Sequence, residues 1–259
     1  MGILDMLKLD GKTAVVVGGA GALGKGIAKS LSQAGARVIV MSRNLEKCEK
    51  TAKEIELETG ISAEAETIDL QNSDDVIHKL NSVIEKKGHI DILVNCAGVN
   101  IRKKAEDYSI EDWDTVQNVQ LKGVFFACQT VAKHMIKNQI RGKIINISSI
   151  NSLVVARPQI VSYVAAKGAI MQMTKALAAE WARYGIAVNA IAPGFFETEM
   201  TAPLFKDPTI SKEIISHIPM GHLGNTTTDL GGMAVLLASE ASGYITGQLI
   251  CIDGGYTIV

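Results

Sequence analysis

Short runs of β-branched and aliphatic residues alternate with longer helical patterns along the whole chain of 259 residues. Several runs, such as TAVVVG at 13–18 and GKIINIS at 142–148, are apolar at both odd and even positions. That pattern is typical of parallel strands covered by helices on both faces. The alternation predicts an α/β fold, a doubly wound sheet of about seven parallel strands with right-handed crossovers. Strands are predicted at 13–18, 36–42, 63–69, 91–95, 142–148, 186–192 and 248–253, and helices at 23–34, 45–59, 73–87, 112–138, 162–184 and 227–239.

No internal repeat, low-complexity tract or Pro/Gly-rich linker divides this pattern. We therefore predict a single domain spanning residues 1–259, a length at which one α/β domain buries a sizeable core. The stretch 195–220 is the longest insertion between elements, and Pro203, Pro208 and Pro219 punctuate it. Because prolines interrupt helices, we expect short helices here. Their place near the carboxyl ends of the strands suggests a mobile lid over a ligand.

Composition excludes several classes of function. The formal net charge of −1 offers no electrostatic case for binding nucleic acid or an anionic membrane. No apolar run approaches the roughly 18 residues of a membrane helix, and the first residues lack a signal-peptide layout. Cys48, Cys96, Cys128 and Cys251 are scattered, without metal-ligand spacing or a disulfide framework. We expect a cytoplasmic protein without a metal centre.

A glycine-rich segment, VVVGGAGALGKGIA at 15–28, follows the first predicted strand and opens a helix. Gly19, Gly21 and Gly24 fit the pattern G-x-G-x-x-G. Glycines allow a tight turn and a close approach of the backbone to a pyrophosphate, which the N–H groups and dipole of the helix N-terminus attract. The segment indicates a dinucleotide site, although a plain strand-to-helix turn would use similar residues.

The end of the second predicted strand bears on which dinucleotide is bound. An NAD site is expected to carry a carboxylate about 20 residues after the glycines, where it accepts from the ribose 2′-hydroxyl. Ser42 and Arg43 occupy this place. A guanidinium without a carboxylate favours the 2′-phosphate of NADP(H), through charge-assisted hydrogen bonds. NAD(H) is the alternative if Arg43 is only a solvated loop residue.

Four further segments carry recognisable motifs. NCAG at 95–98 ends the fourth predicted strand, and SYVAAK at 162–167 contains the pattern Y-x-x-x-K. PGFFET at 193–198 follows the sixth strand, and DGG at 253–255 ends the last. In their order and spacing, these segments and the glycine turn resemble the short-chain dehydrogenase/reductase family. The resemblance implies a Rossmann fold and hydride transfer between a nicotinamide cofactor and an alcohol or ketone.

Some motif positions depart from the family pattern. Gly18 and Gly24 match the family's G-x-x-x-G-x-G, but Ala22 stands at its middle glycine and Val17 at the preceding Thr. Cys96 replaces the second Asn of the family's N-N-A-G. The DGG turn usually lies near a subunit interface, so the resemblance implies a homo-oligomer, a tetramer or a dimer. The implied cofactor contacts are Gly18, Gly21, Leu23, Gly24, Ser42, Arg43, Asp69, Leu70, Asn95, Ala97, Gly98, Tyr163, Lys167, Pro193, Gly194, Phe196 and Thr198.

Tyr163 and Lys167 are four residues apart, so they share one face of a predicted helix. A phenol has a pKa of about 10 and is a poor base at neutral pH. A cation within about 4–6 Å stabilises the phenolate and lowers that pKa. Tyr163 is therefore the expected acid–base residue for a substrate hydroxyl or carbonyl. Without the other motifs, the same spacing would fit an amphipathic helix start with a packed tyrosine and a solvated lysine.

Ser149 and Gln120 complete the catalytic set that the resemblance implies. In GKIINISS, Ser149 matches the family's serine better than Ser148 and would hydrogen-bond the substrate oxygen. WDTVQNVQLKGVFF at 113–126 resembles a family segment whose Asn maps to Gln120. In the family that Asn holds a water in a proton relay from the lysine. Gln120 carries the same amide on a longer stem, so the relay either survives with shifted geometry or is impaired.

Three stretches around the predicted site, 96–105, 152–163 and 192–204, most resemble the gluconate 5-dehydrogenase-like, sugar-acid branch of the family. Arg102 and Arg157 lie on two of them and would clamp the carboxylate of a small-molecule substrate, with Phe195 as a further substrate contact. The arginines would equally suit solvated loops.

Two other functions stay open. A 3-oxoacyl thioester reductase would use the basic residues 102–104 to receive an acidic carrier protein. A nucleotide-binding regulator without chemistry is indicated only by Gln120 and Ala22. The presence of Ser149, Tyr163 and Lys167 argues against the regulator.

Overall fold

The computed structural model describes residues 2–199 and 201–259, which form a sheet of seven parallel strands around which the helices pack. The order of the strands is β3-β2-β1-β4-β5-β6-β7. Their bounds are β1 (Thr13–Val17), β2 (Arg37–Ser42), β3 (Ala63–Thr67), β4 (Ile92–Asn95), β5 (Lys143–Ile147), β6 (Ala187–Pro193) and β7 (Leu249–Ile252). The predicted fold class is confirmed, and every strand falls close to its predicted range.

Helices cover both faces of the sheet because its strands are apolar on both faces. Val15 and Val17 of β1 belong to one core, and Ala14 and Val16 belong to the core on the opposite face. The helices are α1 (Ala22–Gln33), α2 (Leu45–Thr59), α3 (Ser73–Lys87), α4 (Ile110–Gln117), α5 (Gly123–Lys137), α6 (Val161–Trp181), α7 (Ala202–Phe205), α8 (Pro208–Ser216) and α9 (Gly231–Ala238). None of the helices in the described ranges has both the length and the apolar character needed to span a membrane.

Two predicted helices differ from expectation because π-turns interrupt them. The range 112–138 contains α4, a π-turn at Asn118–Lys122, and α5. The range 227–239 opens with a π-turn at Thr226–Leu230 before α9. A π-turn adds a residue to one helical turn, and a 3.6-residue hydrophobic period does not reveal it. At the first of these turns, a Cβ on Gly123 would lie 3.0 Å from Leu70 Cα, so tertiary packing is tight at the point where the helix register changes.

The insertion 195–220 contains two short helices, α7 and α8, as its prolines predict. Asp207 caps α8 by accepting hydrogen bonds from Thr209 N at 2.9 Å and Ile210 N at 3.3 Å. Pro208 occupies the first helical position, where its missing N–H leaves no bond unmade.

The direction in which strands are added reverses at β1, which lies between β2 and β4. In open α/β sheets, ligands bind outside the carboxyl ends of the strands at such a switch point. Val17, Ser42 and Asn95 end these three strands, so the glycine turn, the Arg43 loop and the NCAG segment meet at one edge.

Candidate active site

The glycine turn between β1 and α1 is built from close backbone approaches. Gly18 has a left-handed φ of +82°, and a Cβ at this position would lie 2.5 Å from Ala97 Cα. A Cβ on Gly24 would lie 2.8 Å from Gly18 C. Only glycine fits either position without a backbone shift. Gly21 is the N-cap of α1 and provides no side-chain cap, so the first N–H groups of the helix suit an anion.

Ala22 and Leu23 begin helix α1 with half-buried side chains. Leu23 packs against the core that includes Ala14 and Val16. The methyl group of Ala22 is therefore compatible with the turn. The close backbone approaches at Gly18 and Gly24, which shape the cradle for a pyrophosphate, are present despite this departure from the family's glycine pattern.

The loop after β2 presents a guanidinium. Arg43 is exposed and forms no ion pair with the described residues. Ser42 Oγ instead contacts Cys48 Sγ at 3.0 Å, and Asn44 Oδ1 caps α2 by accepting from Lys47 N at 2.9 Å. Arg43 thus stands beside a capped helix start, where it is available to an external anion.

Asp69 and Leu70 follow β3 and border the same edge. Asp69 Oδ1 accepts from Gln71 N at 3.0 Å, and Asp69 N donates to Asp75 Oδ2 at 2.8 Å. Leu70 is buried against Gly123, at the start of α5. The loop is therefore ordered by its own hydrogen bonds.

Asn95 supports the edge from inside the protein. Its Nδ2 donates to Asn146 Oδ1 at 2.9 Å and to Cys128 Sγ at 3.2 Å. Asn146 Nδ2 in turn donates to Thr174 Oγ1 on α6 at 3.1 Å. The side chain of Asn95, which the sequence suggested as a cofactor contact, is thus engaged in the interior. The adjoining Ala97 and Gly98 carry the exposed part of the segment, with Ala97 packed against Gly18.

Tyr163 and Lys167 lie together on the first turns of α6. Lys167 is 5% exposed, and its Nζ donates to the Ile147 carbonyl at 2.7 Å. The same nitrogen lies over the ring of Tyr163, 5.5 Å from the ring centre. The predicted pairing of the two side chains is present, but the ammonium bonds a backbone carbonyl at the end of β5.

Burial dominates the electrostatics of this pair. Burial raises the pKa of Tyr163, while a hydrogen bond with Ser149 acts in the opposite direction. Burial also lowers the pKa of Lys167 to about 8, opposed by the nearby Cys96 thiol. The sequence suggested that the cation lowers the pKa of the phenol; in the structure desolvation outweighs any such effect, because the charged form of each group loses its hydration.

Ser149 is held at the end of β5 by Asn151, a residue that the motif comparison did not identify. Ser149 Oγ accepts from Asn151 N at 3.2 Å and from Asn151 Nδ2 at 3.1 Å. A hydroxyl that accepts twice has its own proton left to donate. The pattern S-x-N at 149–151 could have revealed this contact in the sequence, since Ser and Asn side chains commonly bond the backbone two residues away.

Gln120 sits in the π-turn and is 1% exposed. Its Nε2 donates to the Val99 carbonyl at 2.8 Å, on the loop after β4. Its Oε1 is buried and has no hydrogen-bond partner among the described residues. A buried amide oxygen of this kind is typically satisfied by an ordered water.

The PGFFET segment leaves β6 and turns beneath the DGG segment. A Cβ on Gly194 would lie 2.7 Å from Asp253 Cα, which explains the glycine. Phe196 is 2% exposed and packs in the core, so its side chain is not available for the predicted cofactor contact. Thr198 Oγ1 lies 3.0 Å from Thr201 Oγ1. Pro193, the last residue of β6, and Thr198 therefore bracket a folded turn.

The predicted substrate residues have different surroundings. Arg102 is exposed, and its Nη2 donates to the Pro158 carbonyl at 3.3 Å. Arg157 is largely covered and pairs with Glu213 of α8, with Nη2 and Oε2 at 3.6 Å. Phe195 packs edge-to-face on Tyr256, with ring centres 5.3 Å apart. Glu213 lies in the 195–220 insertion and Tyr256 directly follows the DGG motif, but nothing in the sequence indicated that either residue contacts Arg157 or Phe195.

Known proteins resemble this chain over nearly its whole length. The family model described as "Enoyl-(Acyl carrier protein) reductase" matches residues 18–257. Gluconate 5-dehydrogenase of Gluconobacter oxydans is 39% identical, with 98% of each chain covered. 2-Dehydro-3-deoxy-D-gluconate 5-dehydrogenase of Escherichia coli is 41% identical, again with 98% of each covered. The crystal structure of a gluconate 5-dehydrogenase from Burkholderia cenocepacia in complex with NADP and tartrate has a TM-score of 0.94 at 39% identity, covering 100% of both chains.

Proposed function

This chain belongs to the short-chain dehydrogenase/reductase family, and on that premise we propose that it interconverts a secondary alcohol and a ketone of a sugar acid with NADP(H). Family membership makes it an oxidoreductase acting on alcohol and ketone groups. The observation that carries the proposal is the meeting of Ser149, Tyr163 and Lys167 at the carboxyl edge of the sheet. Cys96 lies close enough to Lys167 to affect its pKa, and the next residue, Ala97, packs against Gly18. The acid–base residues are therefore near the glycine turn.

The residues of this edge fit a phosphorylated dinucleotide. Gly18 and Gly24 leave a cradle that a Cβ would fill, and the uncapped start of α1 offers N–H groups to a pyrophosphate. The exposed Arg43 is available to a 2′-phosphate. The related Burkholderia cenocepacia structure contains NADP, which supports the same choice here. When bound, the cofactor supplies or accepts the hydride.

Tyr163 holds the proton that accompanies hydride transfer. Because burial raises the pKa of Tyr163, its hydroxyl is protonated at neutral pH and is ready to protonate the oxygen of a ketone. In the oxidative direction the phenolate must form, and the ammonium of Lys167 over the ring stabilises it. A pKa of about 8 keeps most of Lys167 charged at pH 7.

Ser149 orients the reacting oxygen. The two hydrogen bonds from Asn151 occupy Ser149 Oγ as an acceptor and leave its proton to donate. In the structure this proton serves the hydrogen bond with Tyr163, and a substrate oxygen bound beside Tyr163 would receive it instead. Gln120 is the proposed relay residue. Its buried, unpartnered Oε1 is suited to accept from a water that carries the proton of Lys167 outward.

A carboxylate on the substrate would replace Glu213 as the partner of Arg157. The pair is long at 3.6 Å, and the side chain of Glu213 is mostly exposed, so the bond is weak and exchangeable. A second weak pair, Lys47 with Glu199 at 3.6 Å, ties the start of the 195–220 segment to α2. These two contacts support a lid role for 195–220, opening and closing at little energetic cost. Arg102 is a secondary candidate, since it already bonds Pro158.

The test follows NADPH absorbance with 5-ketogluconate, with NADH as the alternative cofactor and an acetoacetyl thioester as the alternative substrate. We expect turnover of the keto acid, with NADPH preferred over NADH. Turnover of the thioester alone would agree with the proposed mechanism but would show that the substrate is not a sugar acid. Binding of NADPH with no turnover of any carbonyl compound would favour a nucleotide-binding regulator.

A 3-oxoacyl thioester reductase is the second candidate, and the 38% identity of this chain to the 3-oxoacyl-[acyl-carrier-protein] reductase of Thermotoga maritima favours it. The basic rim that it would need is reduced in the structure. Lys103 pairs with Asp112, and Arg102 bonds the Pro158 carbonyl, so of the three exposed residues Lys104 is the one without such a contact among the described residues. A reductase receiving an acidic carrier would lose affinity on Lys104→Glu, whereas turnover of a free keto acid would not change.

A further inference from the structure

Helix α6 begins without a cap of its own. Its N-cap residue, Ile160, has φ −134° and ψ 35° and forms no side-chain cap. Gln159, one residue earlier, has a left-handed φ of +67°. Tyr163 is the third residue of this helix and lies in its first turn, where the N–H groups have no intrahelical acceptor. Uncapped first turns fray, so something else must hold Tyr163 in place.

The neighbouring helix α4 is, in contrast, well anchored. Ser109 and Asp112 form a capping box at its start, and Lys103 pairs with Asp112. Such a box satisfies two N–H groups reciprocally. Gln117 is the last residue of α4, directly before the π-turn that carries Gln120. Its backbone position is therefore set by a capped helix on one side and, on the other, by a turn whose residues Val119 and Gln120 are buried.

Gln117 reaches from α4 to the start of α6. Its Nε2 donates to the backbone carbonyl of Ser162 at 2.8 Å and to Ser162 Oγ at 2.9 Å. Ser162 is fully buried, at 0% exposure, and its Oγ donates to the Trp113 carbonyl at 3.4 Å. An amide nitrogen has two hydrogens, so one side chain satisfies both acceptors.

The carbonyl of Ser162 belongs to the peptide unit that continues into Tyr163. A hydrogen bond to this oxygen fixes the peptide plane, and the plane sets the direction in which the Tyr163 side chain leaves the backbone. We propose that Gln117 is a positioning residue for Tyr163, a lateral clamp from α4 that holds the uncapped first turn of α6 through the carbonyl and hydroxyl of Ser162. This inference rests on the proposed function, because it assigns Gln117 a role through the acid–base tyrosine. Gln117 itself touches no reacting atom.

The test compares Gln117→Met, which keeps the length of the side chain and removes its N–H donors, with Gln129→Met. Gln129 lies on α5 and makes one exposed contact, its Oε1 accepting from Lys133 Nζ at 3.2 Å. The first measurement is hydrogen–deuterium exchange of the peptide covering residues 160–167. Loss of a hydrogen bond is worth about a fivefold change in local opening. We expect Gln117→Met to raise exchange of this peptide about fivefold and Gln129→Met to leave it unchanged.

The second measurement separates positioning from general loss of structure. In Gln117→Met we expect kcat with NADPH and the keto acid to fall about five- to tenfold. The Kd of NADPH should stay within about twofold, because the glycine cradle and Arg43 are untouched. Ser162→Ala, which removes one of the two acceptors, should give a smaller fall in kcat. If Gln117→Met does not fold, Ser162→Ala carries both measurements.

Several outcomes would overturn the inference. Unchanged exchange at 160–167 would show that Gln117 does not hold the first turn of α6. Raised exchange with unchanged kcat would show that the clamp does not position Tyr163. Equal losses of kcat and of NADPH binding capacity would indicate only fewer folded molecules.

Tyr163→Phe serves as the control for the proposed function. If Tyr163→Phe is as active as the wild type, the acid–base role itself is wrong and Gln117 has no catalytic residue to position. If Tyr163→Phe is inactive while Gln117→Met behaves as the wild type, only the inference about Gln117 is wrong.

Discussion

The ammonium nitrogen of Lys167 lies over the ring of Tyr163, 5.5 Å from the ring centre, and donates to the carbonyl at the end of β5. The lysine is therefore attached to the sheet, and its charge reaches the tyrosine through the ring face. A cation over an aromatic face is attracted by the ring quadrupole. This relationship gives the tyrosine a fixed electrostatic partner on its ring face and leaves its hydroxyl directed to Ser149, where the substrate oxygen is expected to bind.

Replacing Tyr163 with Phe removes the proton donor and keeps the ring that packs against Lys167. We expect kcat to fall about 10²- to 10⁴-fold, the usual contribution of a general acid or base. The Kd of NADPH, followed by nucleotide fluorescence, should stay nearly unchanged, because Tyr163 is one of many predicted cofactor contacts. Tyr184→Phe is the matched control, since Tyr184 lies three residues beyond the C-terminal end of α6, where its hydroxyl accepts from Arg183 Nη2. Retained activity in Tyr163→Phe would reject the acid–base assignment.

Replacing Arg43 with Ala tests the choice of cofactor. We expect the Kd of NADPH to rise about tenfold or more, because a charge-assisted hydrogen bond is lost, with little effect on NADH. Arg37→Ala provides the control, because Arg37 is an exposed arginine at the opposite, N-terminal end of β2. Equal weakening of both dinucleotides would show that Arg43 does not recognise a 2′-phosphate.

Replacing Arg157 with Gln tests recognition of a carboxylate. The KM for 5-ketogluconate is expected to rise about tenfold, whereas kcat/KM for an uncharged keto sugar should stay the same. Glu213→Gln should act in the opposite direction and lower the KM of the keto acid about twofold, because it frees the guanidinium from its weak partner. Arg183→Gln, in the turn that follows α6, is the control. A parallel change for charged and uncharged substrates would contradict this role.

Replacing Gly18 with Ala tests the backbone approach that shapes the cradle. Gly60→Ala is the comparison, since Gly60 has a similar φ of +71° and a Cβ added there would meet no atom within 4 Å. The left-handed conformation costs each variant about 1–2 kcal/mol. Gly18→Ala also forces an overlap with Ala97, which adds about 1–3 kcal/mol. Urea unfolding should show the larger loss of stability for Gly18→Ala, and equal losses would mean that the contact relaxes freely.

The pKa of Lys167, lowered by burial from 10.5 to about 8, predicts how stability depends on pH. Below pH 8 the lysine is protonated in the folded and unfolded states, so its burial cost is constant. Between pH 8 and 10.5 the unfolded state binds more protons, so the free energy of unfolding rises with pH, by about 3 kcal/mol in total. The measurement compares the free energy of unfolding of the single variant Tyr163→Phe with that of the double variant Tyr163→Phe/Lys167→Met. Because both variants lack the phenol, their difference reports only on Lys167. A difference in unfolding free energy that stays flat across this window would contradict the lowered pKa.

The sequence alone determined the architecture and the identity of the candidate acid–base residues. Strands that are apolar on both faces require helices on both sides, and this local pattern predicted the seven parallel strands. The four-residue spacing of Tyr163 and Lys167 placed both side chains on one face of α6, because helical geometry is local.

Only the tertiary structure decided how these residues are held. The π-turn at Asn118–Lys122 and the inward side chain of Asn95 depend on packing between elements that are distant in sequence, and a 3.6-residue period carries no record of such packing. The same holds for the pKa values of Tyr163 and Lys167, because the depth of burial, which comes from the whole fold, outweighs the charge of the neighbour. The contact of Gln117 with Ser162, which joins residues 45 positions apart, exists only once α4 and α6 have packed together.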